Sequence, residues 1–140
     1  MRIPMAAAAG ALLLGSAMLP AWADNLKGAD RFLCASVQAM RCTEVDCDVA
    51  PPWTWNIPEF IEVDLRARTL STTRASGEAR TTSIKHQERE NGLIVLQGTE
   101  AGRAFSFVIT EETGALSAAV AREGITVGVF GACTPIPAGK

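Results

Sequence analysis

The sequence predicts an all-β fold, an antiparallel meander of about eight strands closed into a small up-and-down barrel, with a flattened β-sandwich as the alternative. Three observations carry this expectation. Short stretches of alternating apolar and polar residues recur along the chain, each bounded by a turn signal. Helical alternatives are weak: the one helix-tolerant run, Leu116 to Arg122, sits between glycine-containing turns and is too short to hold a helix by itself. Strands in simple sequential order close naturally into a barrel, which removes exposed sheet edges.

Residues 1–23 read as a secretory signal peptide. Arg2 supplies the positive start, Ala6 to Leu14 an apolar run extended by Ala17, Met18 and Leu19, and Pro20 the break. Ala21-Trp22-Ala23 places small residues where signal peptidase reads them, and Asp24 opens a polar segment. The run is too short and too glycine-interrupted to cross a hydrocarbon core of about 30 Å, which needs roughly 20 apolar residues. No cysteine follows it at a lipidation-like position. The expectation is therefore one β domain, residues 24–140, periplasmic or secreted, with no stable membrane anchor after cleavage. Its net charge is one unit below the −2 of the full chain, because Arg2 leaves with the signal. No basic stripe suggests nucleic acid as a partner.

Cys34, Cys42, Cys47 and Cys133 agree with export, since an even set in a small exported domain reads as two disulfides. No Cys-x-x-Cys and no completed Cys/His set points to redox or zinc chemistry.

The elements follow in order. After a polar lead, Asp24 to Asp30, the first strand is Arg31 to Arg41. An acidic cysteine loop, Cys42 to Cys47, leads to Ala50–Pro58, where three prolines exclude regular structure. The second strand, Glu59 to Leu65, alternates Ile61, Val63 and Leu65 with Glu62 and Asp64. The third is Thr69 to Thr73, the fourth the polar and exposed run Arg80 to Arg89. Asn91-Gly92 is the strongest hairpin signal, because both residues tolerate positive φ. The fifth, Leu93 to Gln97, is apolar on both faces and so expected to be central. Arg103 to Thr110, Ala115 to Ala121 and Ile125 to Cys133 complete the set, separated by turns at Glu100-Ala101-Gly102, Glu111 to Gly114 and Glu123-Gly124.

No catalytic set emerges. His86 is the only histidine and lies on the most hydrophilic strand, and no Gly-x-Ser-x-Gly elbow accompanies it. The carboxylate pairs Glu111/Glu112 and Glu62/Asp64 fall in a turn and on a solvated face. Glu44, Asp46 and Asp48 are too few, and wrongly spaced, for a calcium loop. A non-enzymatic protein without metal or cofactor is expected. The candidate partner-binding residues are Trp53 and Trp55 in the proline-rich loop, and Ser76 and Gly77 in the loop after the third strand. Indole offers large contact area and a hydrogen-bond donor.

The cysteine pairing follows from strand order. Cys34 and Cys42 lie on one strand, roughly 26 Å apart at about 3.3 Å per residue, too far to bridge. In a closed meander the first and last strands are antiparallel neighbours, which puts Cys34 beside Cys133 and leaves Cys42 to close the acidic loop with Cys47.

Trp53 to Leu65, Thr69 to Thr73, Leu96-Gln97-Gly98, Arg103 to Ser106 and Phe130 to Pro135 together resemble small exported proteins of proteobacteria, a resemblance that implies export and no mechanism. Cys34, Cys133 and the Ala75-Ser76-Gly77 loop are also similar to features of periplasmic C-type lysozyme inhibitors. That second likeness implies a cell-wall hydrolase as target. The chain departs from it in having no Tyr and in lacking the Lys-Gly segment expected on a neighbouring strand. Three functions remain in play: a periplasmic binding or interaction module with a periplasmic protein as partner, an inhibitor of lysozyme, and a lipocalin-like carrier of a small apolar ligand. An eight-stranded barrel can be filled by side chains or can enclose one small ligand. Oligomeric state is left open.

Overall fold

In the computed structural model, which describes residues 24–76 and 79–138, the alternating segments form ten antiparallel strands. They are β1 (Arg31–Cys42), β2 (Cys47–Ala50), β3 (Phe60–Asp64), β4 (Thr69–Thr72), β5 (Thr81–Ser83), β6 (His86–Glu90), β7 (Leu93–Glu100), β8 (Arg103–Thr110), β9 (Ala115–Arg122) and β10 (Ile125–Pro135). Nine lie side by side in the order β5-β4-β3-β1-β10-β9-β8-β7-β6, strongly curled into a half-barrel, and β2 pairs with the end of β1. The expected signal peptide lies outside the described residues.

Tight turns enforce the meander. Asn91 (φ 53°) and Gly92 (φ 77°) both take the left-handed conformation that a two-residue hairpin loop between β6 and β7 requires. Between β7 and β8, Ala101 (φ 46°) and Gly102 (φ 75°) do the same, although alanine carries a Cβ that disfavours it.

The strand count exceeds the expected eight for two reasons. The polar run Arg80 to Arg89 is not one strand but two. β5 pairs with β4 and β6 pairs with β7, so this segment carries the chain from one end of the sheet to the other. At the crossing the Ile84 amide donates to Arg68 O and the Lys85 amide to Gln97 O, both at 2.8 Å. Below it, the Gln87 side-chain amide donates to Leu65 O across the seam. The curl is thus joined by a strand divided between two neighbours rather than by one continuous ladder. The second addition is β2, which runs back along β1 through Cys42↔Cys47 to Ala39↔Ala50 before the prolines end it. Part of the proline-rich stretch is also regular: Pro52–Trp55 is one turn of 3₁₀ helix, since proline's fixed φ suits the first helical positions.

Two expectations about position are corrected. β7 is not central but next to the end of the sheet, and Leu93 on its outer side is 39% exposed. The polar lead is not merely solvated. Leu26 within it is fully buried, donates its amide to Glu111 O, and plugs one end of the half-barrel. The Arg89 guanidinium fastens this plug by donating to the carbonyls of Leu26 and Ala29, both at 2.8 Å.

β1 organises the sheet. It pairs with β10 from Phe32↔Pro135 to Cys42↔Thr126, while its other edge is shared, Arg31 to Ala35 with β3 and Ala39 to Cys42 with β2. A β-bulge between Ser36 and Gln38 inserts Val37. Because strand side chains alternate with period 2, the extra residue changes which parity faces inward. Phe32, Cys34 and Ser36 point into the half-barrel before the bulge, and Ala39 and Arg41 after it. Cys34 is bonded to Cys133 and Cys42 to Cys47. The end nearest Leu26 is packed solid by Phe32, Val63, Ile94, Leu96 and Ile109.

Candidate ligand-binding cavity

The opposite half of the interior is not filled. Inward side chains of β1, β3, β4, β8, β9 and β10 enclose a cavity of about 420 Å³. Its walls are mainly apolar, with Ile61, Leu70, Phe107, Leu116, Val120 and Val127 among them. The space exists because several inward positions carry small residues, Ser36 on β1 and Ala118 on β9 among them. Gly98 contributes in another way. It lies opposite Phe105 in the β7–β8 ladder, and a Cβ there would stand 2.5 Å from the Phe105 ring and 3.0 Å from Ser83 O. The glycine lets the ring lie back against β7, where it meets Phe107 edge to face with centroids 5.8 Å apart. Both rings are thereby held against one wall.

The proline-rich turn forms part of the rim. Residues two apart in a 3₁₀ turn of three residues per turn point in different directions. Trp55 accordingly lines the cavity and packs on the core, whereas Trp53 is 66% exposed. Asn56 (φ 55°) ends the turn, its amide donating to Trp53 O, and Ile57 then continues along the cavity wall. The two candidate tryptophans are therefore separated into one cavity residue and one surface residue.

Charged residues finish the rim. Arg41 from the end of β1, Arg80 just before β5, Arg103 from the start of β8 and Arg122 from the end of β9 all line the cavity at its mouth, with Glu100 from the end of β7. Arg41, Arg80, Arg103 and Glu100 are half-buried. Among the described residues none of these five makes an ion pair, although Glu100 and Arg103 are register partners. At the plugged end the arrangement is opposite. Arg31 pairs with Glu62 and Asp64, Arg66 with Asp30, and Arg89 with Glu111 and Asp30. The hydrogen bond from Arg31 to Glu62, aided by that carboxylate's charge, holds the Arg31 guanidinium above its ordinary pKa. Sequence reasoning missed the mouth arginines. For Arg103 and Arg122 the signal is positional, since each falls at the inward parity of its strand; Arg41 gives none, because the bulge reverses the parity of β1.

No family model matches this chain, and comparison with curated proteins finds no match.

The remaining candidate residues lie apart from the cavity. Ser76 accepts the Phe60 amide at 2.7 Å and donates to Phe60 O at 3.2 Å, so its hydroxyl anchors the loop to β3. Gly77 lies outside the described residues. Asp46 is engaged by the Thr43 hydroxyl and amide within the cysteine loop. Among the described residues no group of three His, Cys, Asp or Glu side chains is placed to hold a metal ion. His86 is exposed on β6 beside Glu88, with Nε2 3.2 Å from Oε1. His86→Ala is expected to change unfolding stability by no more than about 0.5 kcal/mol, the usual range for surface sites. Urea unfolding checks this; a loss above about 2 kcal/mol would show that the pair does more than sit in solvent.

Proposed function

We propose that this protein is a non-enzymatic, exported binding protein that holds a small apolar ligand inside its half-barrel. The cavity is the observation that carries the reading. At about 30 Å³ per water, a space of this size would hold on the order of a dozen waters against mostly aliphatic and aromatic walls. Its volume falls within the range of about 300–1,000 Å³ typical of small-molecule sites. Among the described residues the lining contains no histidine, cysteine or lysine, which favours holding a ligand over transforming it. Periplasmic or secreted location is supported by the two disulfides, which persist in oxidising compartments. The described residues include no helix long and apolar enough to cross a membrane.

The test is binding of the neutral apolar fluorophore N-phenyl-1-naphthylamine. Saturable binding at one probe per chain is expected, with the emission shift of a dry environment. Ala118→Phe, which places a ring in the cavity, is expected to abolish it while the fold persists by circular dichroism. Absence of saturable binding to the wild-type protein ends the proposal. Native mass spectrometry of protein purified from its own host reports the natural ligand as added mass.

A further inference from the structure

We infer that the ligand is a single-chain anionic amphiphile, its tail in the apolar cavity and its acid headgroup held by the arginines at the mouth. This rests on the cavity reading above and adds the chemical class of what fills it. Among the described residues the charge on the lining is one-sided, four arginines against Glu100. Three of those arginines are half-buried without an ion-pair partner among the described residues. A guanidinium drawn partly out of water without a carboxylate is disfavoured, and an arriving anion removes that cost. Elsewhere among the described residues Arg31, Arg66 and Arg89 have acidic partners, and the arginines without one, Arg68 and Arg74, are exposed, so half-buried arginine without an ion pair is confined to the mouth.

The geometry is built rather than incidental. Arg41 faces the mouth only because the bulge at Val37 reverses the inward parity of β1. Arg103 stands on β8, three places along the sheet from β1, so the cations approach from separate walls. Other acids stand at this end: Asp48 opposite Arg41 on β2, and Glu44 beside Arg122 at a smaller neighbouring depression. Neither lines the main cavity or forms an ion pair among the described residues, so the headgroup site keeps its positive balance. Guanidinium binds carboxylate and phosphate alike. The shared chemistry is an acid headgroup on one alkyl chain.

The experiment is displacement of bound N-phenyl-1-naphthylamine from the purified, disulfide-bonded protein by decanoate, decyl phosphate, decanol and decyltrimethylammonium. At least one of the two anions is expected to displace the probe at about ten-fold lower concentration than decanol, as charge-assisted hydrogen bonds imply, and the cation is expected to be weakest. Whichever anion is stronger assigns the headgroup as carboxylate or phosphate. The double variant Arg41→Gln/Arg103→Gln should bring the anions close to decanol, each displacement being read against decanol on the same variant, with circular dichroism showing that the variant is folded. Glu100→Gln should widen the preference for anions. Equal displacement by both anions and the alcohol in the wild-type protein overturns this inference and leaves the cavity reading standing. Failure of the probe to bind at all overturns both.

Discussion

Replacing Cys34 and Cys133 together by alanine is expected to lower the free energy of unfolding by about 4–5 kcal/mol. The two cysteines are register partners in the β1–β10 ladder, both buried, and 99 residues apart in sequence. In the chain-entropy account, a bond closing a loop of that length removes about 4.7 kcal/mol of freedom from the unfolded chain. The remaining stability would be small, because such a domain has only roughly 5–15 kcal/mol to lose. The Cys42–Cys47 bond spans only five residues and closes a loop already held by the β1–β2 hairpin. Its removal should cost about 2 kcal/mol by the same account. It should also be reduced first, since Cys47 is exposed. Urea unfolding of the two double variants beside the wild-type protein tests the ranking; equal losses would show that long-loop closure is not what the buried bond supplies.

Gly131→Ala is expected to cost about 3 kcal/mol, the upper end of the usual overpacking range. A Cβ at this position would stand 2.0 Å from the Ala35 carbonyl oxygen and 3.3 Å from Ser36 Cα. Both atoms are backbone, so no side chain can swing aside, and relief requires moving β1 off β10 at the bulge. Gly128, three residues earlier on the same strand, is the control. Nothing lies within 4 Å of its added Cβ, and Gly128→Ala should change stability by less than about 1 kcal/mol. Similar urea midpoints for the two variants would remove the claim that Gly131 exists to let the strands approach. The glycine and the bulge act together: the close approach accommodates Val37, and Val37 turns Arg41 inward.

The strand pattern was readable because alternation reports burial on one face. Ile61, Val63 and Leu65, or Phe105, Phe107 and Ile109, fall on the inner face because the half-barrel has one dry side. Asn91-Gly92 was readable because few other pairs tolerate its backbone. Four things were not. The division of Arg80 to Arg89 into β5 and β6 depends on which neighbours lie to either side, and nothing local in a polar run encodes that. Leu26 was hidden because one apolar residue in a polar lead makes no periodic signal. The cavity was hidden because alternation says which residues face inward but not whether they meet. Phe105 and Phe107 leave open whether the barrel is filled until Gly98 is seen to let one ring lie against the wall. Trp53 and Trp55 look alike as sequence and separate only when the 3₁₀ turn sets their directions.

The place of β1 in the sheet has a consequence for how the chain reaches this state. Every strand has a neighbour close in sequence, but one edge of β1 must wait for β10, whose residues come last. Pairings of such long sequence separation are slow to form. A chain delivered N-terminus first holds β1 with one edge unmatched, its apolar side chains in water, until the final strand arrives. Cysteines joined in their order of appearance would link Cys34 to Cys42, a bond the finished sheet forbids. Such a bond would have to be undone by thiol–disulfide exchange, on a timescale of seconds to hours, before the first strand meets the last.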